Sequence, residues 1–232
     1  MHPILEGIEL VAFDLDGTLI DSVPDMAIAV DAALTELGLP AVGKARVRDW
    51  VGNGSLVLME RALRFTAQVN EGVSGARPAG PLSDSLLERA HVAFLAHYAR
   101  APGAHTRLYP GVRECLGGLR DRDLPLALVT NKPEAFIAPL LDDLGLADYF
   151  SLCLGGDSLA EKKPHPAPLL HVAAHFAVSP SSCLMVGDSR HDIAAGKAAG
   201  FRTLAVPYGY NHGEPVRDSD PDGVVESLAE LV

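Results

Sequence analysis

The chain has 232 residues, 48% of them hydrophobic, and a formal net charge of -11. That length and apolar content suit one large α/β domain or a core with a smaller attachment, and they exclude global disorder. The negative balance speaks against nucleic acid or an anionic membrane surface as a partner, while leaving room for a small anion in a locally positive pocket.

Along the chain, five short apolar runs read as buried strands: Glu9–Phe13, Pro125–Thr130, Phe150–Leu154, Cys183–Val186 and Thr203–Val206. They lack strict alternation, as strands covered on both faces do. Helical segments at Glu134–Leu144, Pro166–Phe176 and Ile193–Ala199 separate the last four. Alternating strand and helix predicts an α/β fold with a Rossmann-like, parallel-sheet core. The first strand breaks the rhythm, because the interval to the second is far longer than one crossover helix needs. That interval holds helical patterns in "DMAIAVDAALTELG", closing on Gly38, then "SLVLMERALRF" and "SLLERAHVAFLAHYA". The Gly-, Pro- and Ser-rich stretch from Val69 to Asp84 reads as a loop within it. The expected organisation is therefore a core of residues 1–21 and 103–232, with a helical insert of residues 22–102 after the first strand. Pro110 in "YPGV" is expected to start a helix running to Leu119.

Three cysteines, Cys115, Cys153 and Cys183, show no CxxC spacing, and an odd count makes no disulfide framework. The first residues, "MHPILEGIEL", lack a basic segment followed by a long apolar run. Neither a signal peptide nor a membrane helix of ~18 apolar residues is expected, and a reducing cytoplasm is the expected location.

In an open parallel sheet, ligands bind beyond the carboxyl ends of the strands. The first run ends in Asp14, Asp16, Gly17 and Thr18. Residues two apart in an extended chain point the same way, so both carboxylates can face one site while Phe13 and Leu15 pack elsewhere. The second run delivers Thr130, Asn131 and Lys132; the third is followed by "GGDSLAEKKPHP", with Lys162 and Lys163 before a proline; the fourth delivers "VGDSRHDIAAGKAAG", with Asp188 at the strand end and Asp192 four residues on. Carboxylates, a hydroxyl and an ammonium group together suit Mg²⁺ beside a phosphate, where positioning and charge neutralisation carry most of the catalysis. Each cluster also has a plainer reading. Thr130 can simply end a strand, one lysine can be solvated, Asp188 can cap a helix, and Asp192 can serve the first turn's dipole.

"DLDGT", then Thr130, then "KKPHP", then "GDSRHD" resemble, in order, the motifs of the haloacid dehalogenase superfamily, and the resemblance spans nearly the whole chain. "DWVGNG", "TNKP" and "PYGYNHGEP" resemble more narrowly one bacterial branch, the phosphatases that hydrolyse 2-phosphoglycolate to glycolate and phosphate. The resemblance implies that Asp14 is the nucleophile and becomes an aspartyl phosphate, and that Asp16 protonates the leaving alkoxide and then activates water. Asp16 also argues against the dehalogenase branch, which lacks this acid. Thr130, with Asn131, would bind the phosphoryl group; Lys163, or Lys162 in its place, would steady phosphate and nucleophile. Asp14, the backbone carbonyl of Asp16, and Asp188 would hold Mg²⁺, with Asp192 supporting them or ligating directly.

The resemblance further implies that the helical insert of residues 22–102 is the cap of a catalytic core and carries specificity. Gly52, Asn53 and Gly54 offer backbone N–H groups that either cradle a substrate carboxylate or make a plain helix–helix turn, and Arg46, Arg48, Arg61 and Arg64 are cations for the same task. The expected partner is a small phosphate ester, with no nucleic acid and no membrane. A phosphatase of another small ester or of pyrophosphate, a phosphomutase, and a phospho-accepting regulatory module remain alternatives. Of the nine histidines, His171 and His175 have a chelating spacing but no HExxH pattern, so they read as ordinary helix-face residues.

Overall fold

A computed structural model describes residues 2–74 and 82–232, with the backbone alone for residues 70–74. The chain divides into two compact units, Met1–Asp21 with Arg107–Val232, and Ser22–Thr106.

In chain order the elements are β1 (Leu10–Phe13), β2 (Ile20–Asp21), α1 (Val23–Glu36), α2 (Lys44–Trp50), α3 (Ser55–Ser74), α4 (Asp84–Tyr98), β3 (Arg107–Leu108), α5 (Val112–Arg120), β4 (Leu126–Val129), α6 (Ile137–Asp143), β5 (Leu152–Leu154), α7 (Ala167–His175), β6 (Cys183–Gly187), α8 (Arg190–Ala199), β7 (Arg202–Ala205) and β8 (Gly223–Val224). The first unit is built on a six-stranded sheet in the order β5-β4-β1-β6-β7-β8, every pairing parallel. β1 lies between β4 and β6, with Phe13 opposite Leu128 on one side and Val186 on the other. Period-2 alternation divides each strand between two cores. Val11, Phe13, Leu128 and Val186 join one layer with Leu116, Leu119 and Ile137 of α5 and α6. Leu10, Ala12, Ala127, Val129 and Met185 join the other with Leu169 and Val172 of α7 and Ala195 of α8. Burial on both faces explains why the strands read as unbroken apolar runs, and full burial of a side chain such as Phe13 contributes about 1.5–3 kcal/mol. The strand reversal point, where β4 leaves to one side of β1 and β6 to the other, falls at the carboxyl end of β1.

The second unit is helical. α1 packs most extensively on α4. Asp25, buried in the first turn of α1, accepts hydrogen bonds from the His105 backbone N–H at 3.0 Å and the Thr106 hydroxyl at 2.7 Å. This fastens the start of the unit to its end.

Several element limits differ from the sequence reading. The first six residues of the expected loop at 69–84 continue α3, and residues 75–81 lie outside the described residues. Gly72 and a short polar run resemble a loop in composition but do not stop a helix already under way. α2 goes unrecognised because its seven residues hold two arginines, a lysine and an aspartate, with Val47 as the buried residue. The helix after "YPGV" begins at Val112, because Gly111, at φ +85°, turns the chain at its N-cap. The segment Glu134–Leu144 opens as a 3₁₀ turn, Glu134–Phe136, before α6. α8 begins three residues earlier than expected, where Ser189 and Asp192 form a capping box. Among the described residues no helix is long and apolar enough to cross a membrane.

Candidate active site

The polar clusters after β1, β4, β5 and β6 converge at one edge of the sheet. The Asp14 N–H donates to the Val186 carbonyl at 2.9 Å, so the first carboxylate sits where the β1–β6 ladder ends. Leu15 is fully buried, and Gly17, at φ +95°, turns the chain back with its N–H on the Ile20 carbonyl at 2.8 Å.

Lys163 supplies the central cation. Its ammonium lies 2.8 Å from Asp14 Oδ1 and 2.6 Å from Asp192 Oδ1, with its side chain 2% exposed. Its carbonyl accepts the Asn131 side-chain amide at 2.9 Å, which ties the β5–α7 segment to the end of β4. Of the two adjacent lysines, Lys163 is thus the one brought into the cluster. Asp192 holds this lysine with one oxygen and takes the Ser189 N–H and hydroxyl on the other, at 3.0 and 2.7 Å. Asp188 accepts the Thr18 hydroxyl at 2.7 Å and the Tyr210 N–H at 2.6 Å. A Cβ on Gly17 or on Gly209 would run into the Asp188 carboxylate, and one on Gly187 into Asp192. Glycine at these positions lets main chain close around the acids.

Asp16 stands a little apart from this group and faces Lys132, whose ammonium lies 3.1 and 3.3 Å from its two oxygens. Thr130 is buried at the end of β4 and accepts the Lys132 N–H at 3.2 Å. Sequence reasoning noted Lys132 but gave it no task. It likewise gave no task to Thr18, Ser189, Gly209 or Tyr210. The signals were present, since Thr18 closes "DLDGT" and Tyr210 sits in "PYGYNHGEP", but partners 170 and 22 residues away cannot be read from spacing.

The electrostatics are unbalanced. Asp14, Asp188 and Asp192 are buried together with the Lys163 ammonium against two of them, while Lys132 pairs with Asp16. Burial, with the Asp192 and Asp16 charges beside it, lifts the Asp14 carboxyl to about 6 even though Lys163 pulls it down. Burial and the neighbouring Asp192 and Asp14 raise Asp188 well above the ordinary carboxylate range. Burial opposes the charge of Lys163, but the two carboxylates outweigh it and hold the ammonium above its usual value. Carboxylate oxygens of Asp14, Asp188 and Asp192 all lie within 4.8 Å of one another. A buried, oxygen-rich group with an excess of negative charge fits a hard divalent cation.

The insert residues form a separate constellation within the second unit. Gly52 and Gly54, at φ +121° and +90°, shape the turn between α2 and α3. Arg61 braces it, reaching the Trp50 carbonyl at 2.6 Å and the Asn53 side-chain oxygen at 2.8 Å. Arg46 donates to the Val42 carbonyl at 2.9 Å and lies over the Phe65 ring, and Arg64 pairs with Glu60 at 2.7 Å. His171 and His175 are exposed on α7.

A parallel sheet carrying acids, threonine and lysine at its strand ends defines a class, and comparison with known proteins agrees with it. The chain belongs to the haloacid dehalogenase-like hydrolases, whose family model matches residues 8–200. It is 44% identical over 228 residues to a phosphoglycolate phosphatase of Nitrosococcus oceani, covering 98% of this chain and 96% of that one. It is 46% identical over 232 residues to a phosphoglycolate phosphatase of Escherichia coli K12, covering 98% and 92%. Among solved structures it resembles a predicted phosphoglycolate phosphatase from Haemophilus somnus, with a TM-score of 0.90 and 36% identity over 97% of this chain and 96% of that one.

Proposed function

We propose that the chain is a Mg²⁺-dependent phosphomonoesterase that hydrolyses 2-phosphoglycolate to glycolate and phosphate. The observation that carries this reading is the buried placement of Asp14 against Lys163, with Asp16 two residues away on its own lysine. The names of the full-length relatives support the substrate.

Asp14 is the nucleophile. Its carboxyl, lifted to about 6, is ionised at neutral pH yet poorly solvated, which favours attack. One of its oxygens forms a bond to phosphorus as the bond from phosphorus to the ester oxygen breaks, and Asp16 gives its proton to the departing alkoxide. Asp16 then takes a proton from water, whose oxygen attacks phosphorus and releases inorganic phosphate from Asp14. Lys132 keeps the Asp16 carboxyl in position through this exchange. Thr130 and Asn131 bind the phosphoryl oxygens, and Lys163 sets the Asp14 carboxylate while countering phosphate charge. Asp14, Asp188 and the Asp16 carbonyl are the groups assigned to hold Mg²⁺, with Asp192 holding Lys163 behind them. The cation supplies neutralisation of the phosphate's charge.

Residues 22–102 serve as the cap unit and residues 1–21 and 103–232 as the core, and Gly52, Asn53 and Gly54 are the groups assigned to the substrate carboxylate. The partner is a small phosphate ester rather than nucleic acid or membrane, and the place of work is the cytoplasm.

The test is phosphate release from a panel of small esters, with Mg²⁺ and with chelator. Metal-dependent release fastest for 2-phosphoglycolate is expected. Faster release from another ester overturns the substrate while keeping the chemistry, and no release from any ester, with a long-lived acyl phosphate, points instead to a regulatory module.

A further inference from the structure

Outside the carboxylate cluster, His191 and His212 bring their Nε2 atoms to 3.4 Å. Their ring planes stand at 77°, with centroids 5.5 Å apart. His191 is the second residue of α8, and His212 lies in the loop after β7, at φ +54°. Both residues are half-buried.

The two segments are locked to each other by contacts that do not involve the rings. The Arg190 N–H donates to the Asn211 side-chain oxygen at 2.9 Å, and the Asn211 amide donates to the Glu214 carbonyl at 3.0 Å. The Arg190 guanidinium pairs with Glu214 at 2.8 Å, and the Tyr210 N–H reaches Asp188 at 2.6 Å. The imidazoles are thus held facing each other before anything binds.

The spacing is long for a hydrogen bond, since N–H donors ordinarily sit about 2.7–3.2 Å from their acceptors. It matches a chelate. Two imidazole nitrogens at about 2.0–2.1 Å from one tetrahedral ion are separated by about 3.3–3.4 Å. We propose that His191 and His212 form a bidentate site for a borderline divalent transition cation such as Zn²⁺, with water completing the coordination. Imidazole suits Zn²⁺, Ni²⁺ and Cu²⁺, whereas Mg²⁺ prefers oxygen, so the pair and the neighbouring carboxylates select different ions. A cation here staples the loop 209–214 to the start of α8. That loop carries the Tyr210 N–H on Asp188, so the staple stiffens the support of the acid cluster. The inference needs only the two rings and their scaffold, and it stands apart from the phosphatase reading.

The test is calorimetric titration of Zn²⁺ into the full chain with Mg²⁺ at saturation, for the wild type, His191→Ala, His212→Asn and Asp14→Asn. Asparagine tolerates the positive φ at 212 better than most residues, so His212→Asn preserves the loop. One Zn²⁺ is expected to bind the wild type and Asp14→Asn alike, and each histidine variant should lose at least about tenfold in affinity. At free Zn²⁺ ten times its dissociation constant, the thermal midpoint of the wild type should rise by about 3–6 °C, and that of His212→Asn should not. Absence of Zn²⁺ binding to the wild type, undiminished binding to His212→Asn, or loss of binding in Asp14→Asn would each overturn the proposal.

Discussion

Replacing Lys163 by methionine removes the ammonium that lies 2.8 Å from Asp14 and 2.6 Å from Asp192, and leaves an unbranched chain in its place. The cost depends on pH, and its sign follows from Asp14. That carboxyl titrates at about 6 in the folded chain against an ordinary 3.8, so the folded state holds the proton more tightly. Its contribution to stability is therefore most favourable below about pH 4 and falls between about pH 4 and 6. Above that it stands at a penalty of roughly 3 kcal/mol. Lys163 limits the penalty by pulling the carboxyl down, so without the lysine Asp14 titrates higher still and the decline continues past pH 6. At pH 8 the variant should lose about 3–5 kcal/mol, the usual cost of stripping a buried charge of its partner. At pH 5 Asp14 is mostly protonated in the wild type too, and the loss should shrink to about 1–2 kcal/mol for the missing Asp192 contact. Urea unfolding followed by circular dichroism, with chelator present, measures both values. A difference between variant and wild type that is equal at the two pH values, or larger at pH 5, refutes the reasoning.

Asp14→Asn should reduce phosphate release to background while raising metal-free stability at pH 8, because the amide carries no charge to bury; turnover in a clean preparation excludes Asp14 as nucleophile. Asp16→Asn should lower kcat by about 10²–10⁴ for an alkyl phosphate but far less for an aryl phosphate, whose leaving group needs no proton, and equal losses would remove Asp16 as the acid. Mg²⁺ should raise the thermal midpoint more at pH 8 than at pH 5.5, since protons compete for Asp14 and Asp188 at the lower pH; an equal rise contradicts metal binding at these acids. Gly17→Ala should cost roughly 1–3 kcal/mol in stability and weaken the Mg²⁺ response, because φ is +95° there and a Cβ meets the Asp188 carboxylate; unchanged unfolding and Mg²⁺ titrations would show that main chain can relax around it.

The sheet was legible because β1, β4 and β6 are buried on both faces, and an unbroken apolar run has few other ways to be satisfied. β2, β3 and β8 were not, being two residues long and held by pairing rather than by composition. Asp14, Asp16, Thr130 and Asp188 stood out as polar residues at the ends of such runs. The choice between Lys162 and Lys163 was invisible, because adjacent residues share their composition and differ only in where the backbone aims them. The task of Lys132 was hidden for a related reason. After Pro133 the chain enters a 3₁₀ turn, and whether the preceding lysine faces water or Asp16 depends on a carboxylate 116 residues earlier.

The arrangement of charge separates a functional site from a merely acidic strand end. Three clustered, buried carboxylates are not selected by stability, since apolar residues of similar volume at the same places would fold at least as well. The apolar sheet beneath them bears the cost: Phe13, Leu128 and Val186 are buried in the layer on which the acids stand. Thr18, Tyr210 and Ser189 then fix the oxygens of Asp188 and Asp192 by hydrogen bonds, so the carboxylates cannot swing apart to relieve their repulsion. A site held in that state gains most from a ligand that brings positive charge together with an anion for Lys163 to meet. A divalent cation with a phosphate ester supplies both. The same excess of buried charge that makes the cluster costly thus makes its occupant specific.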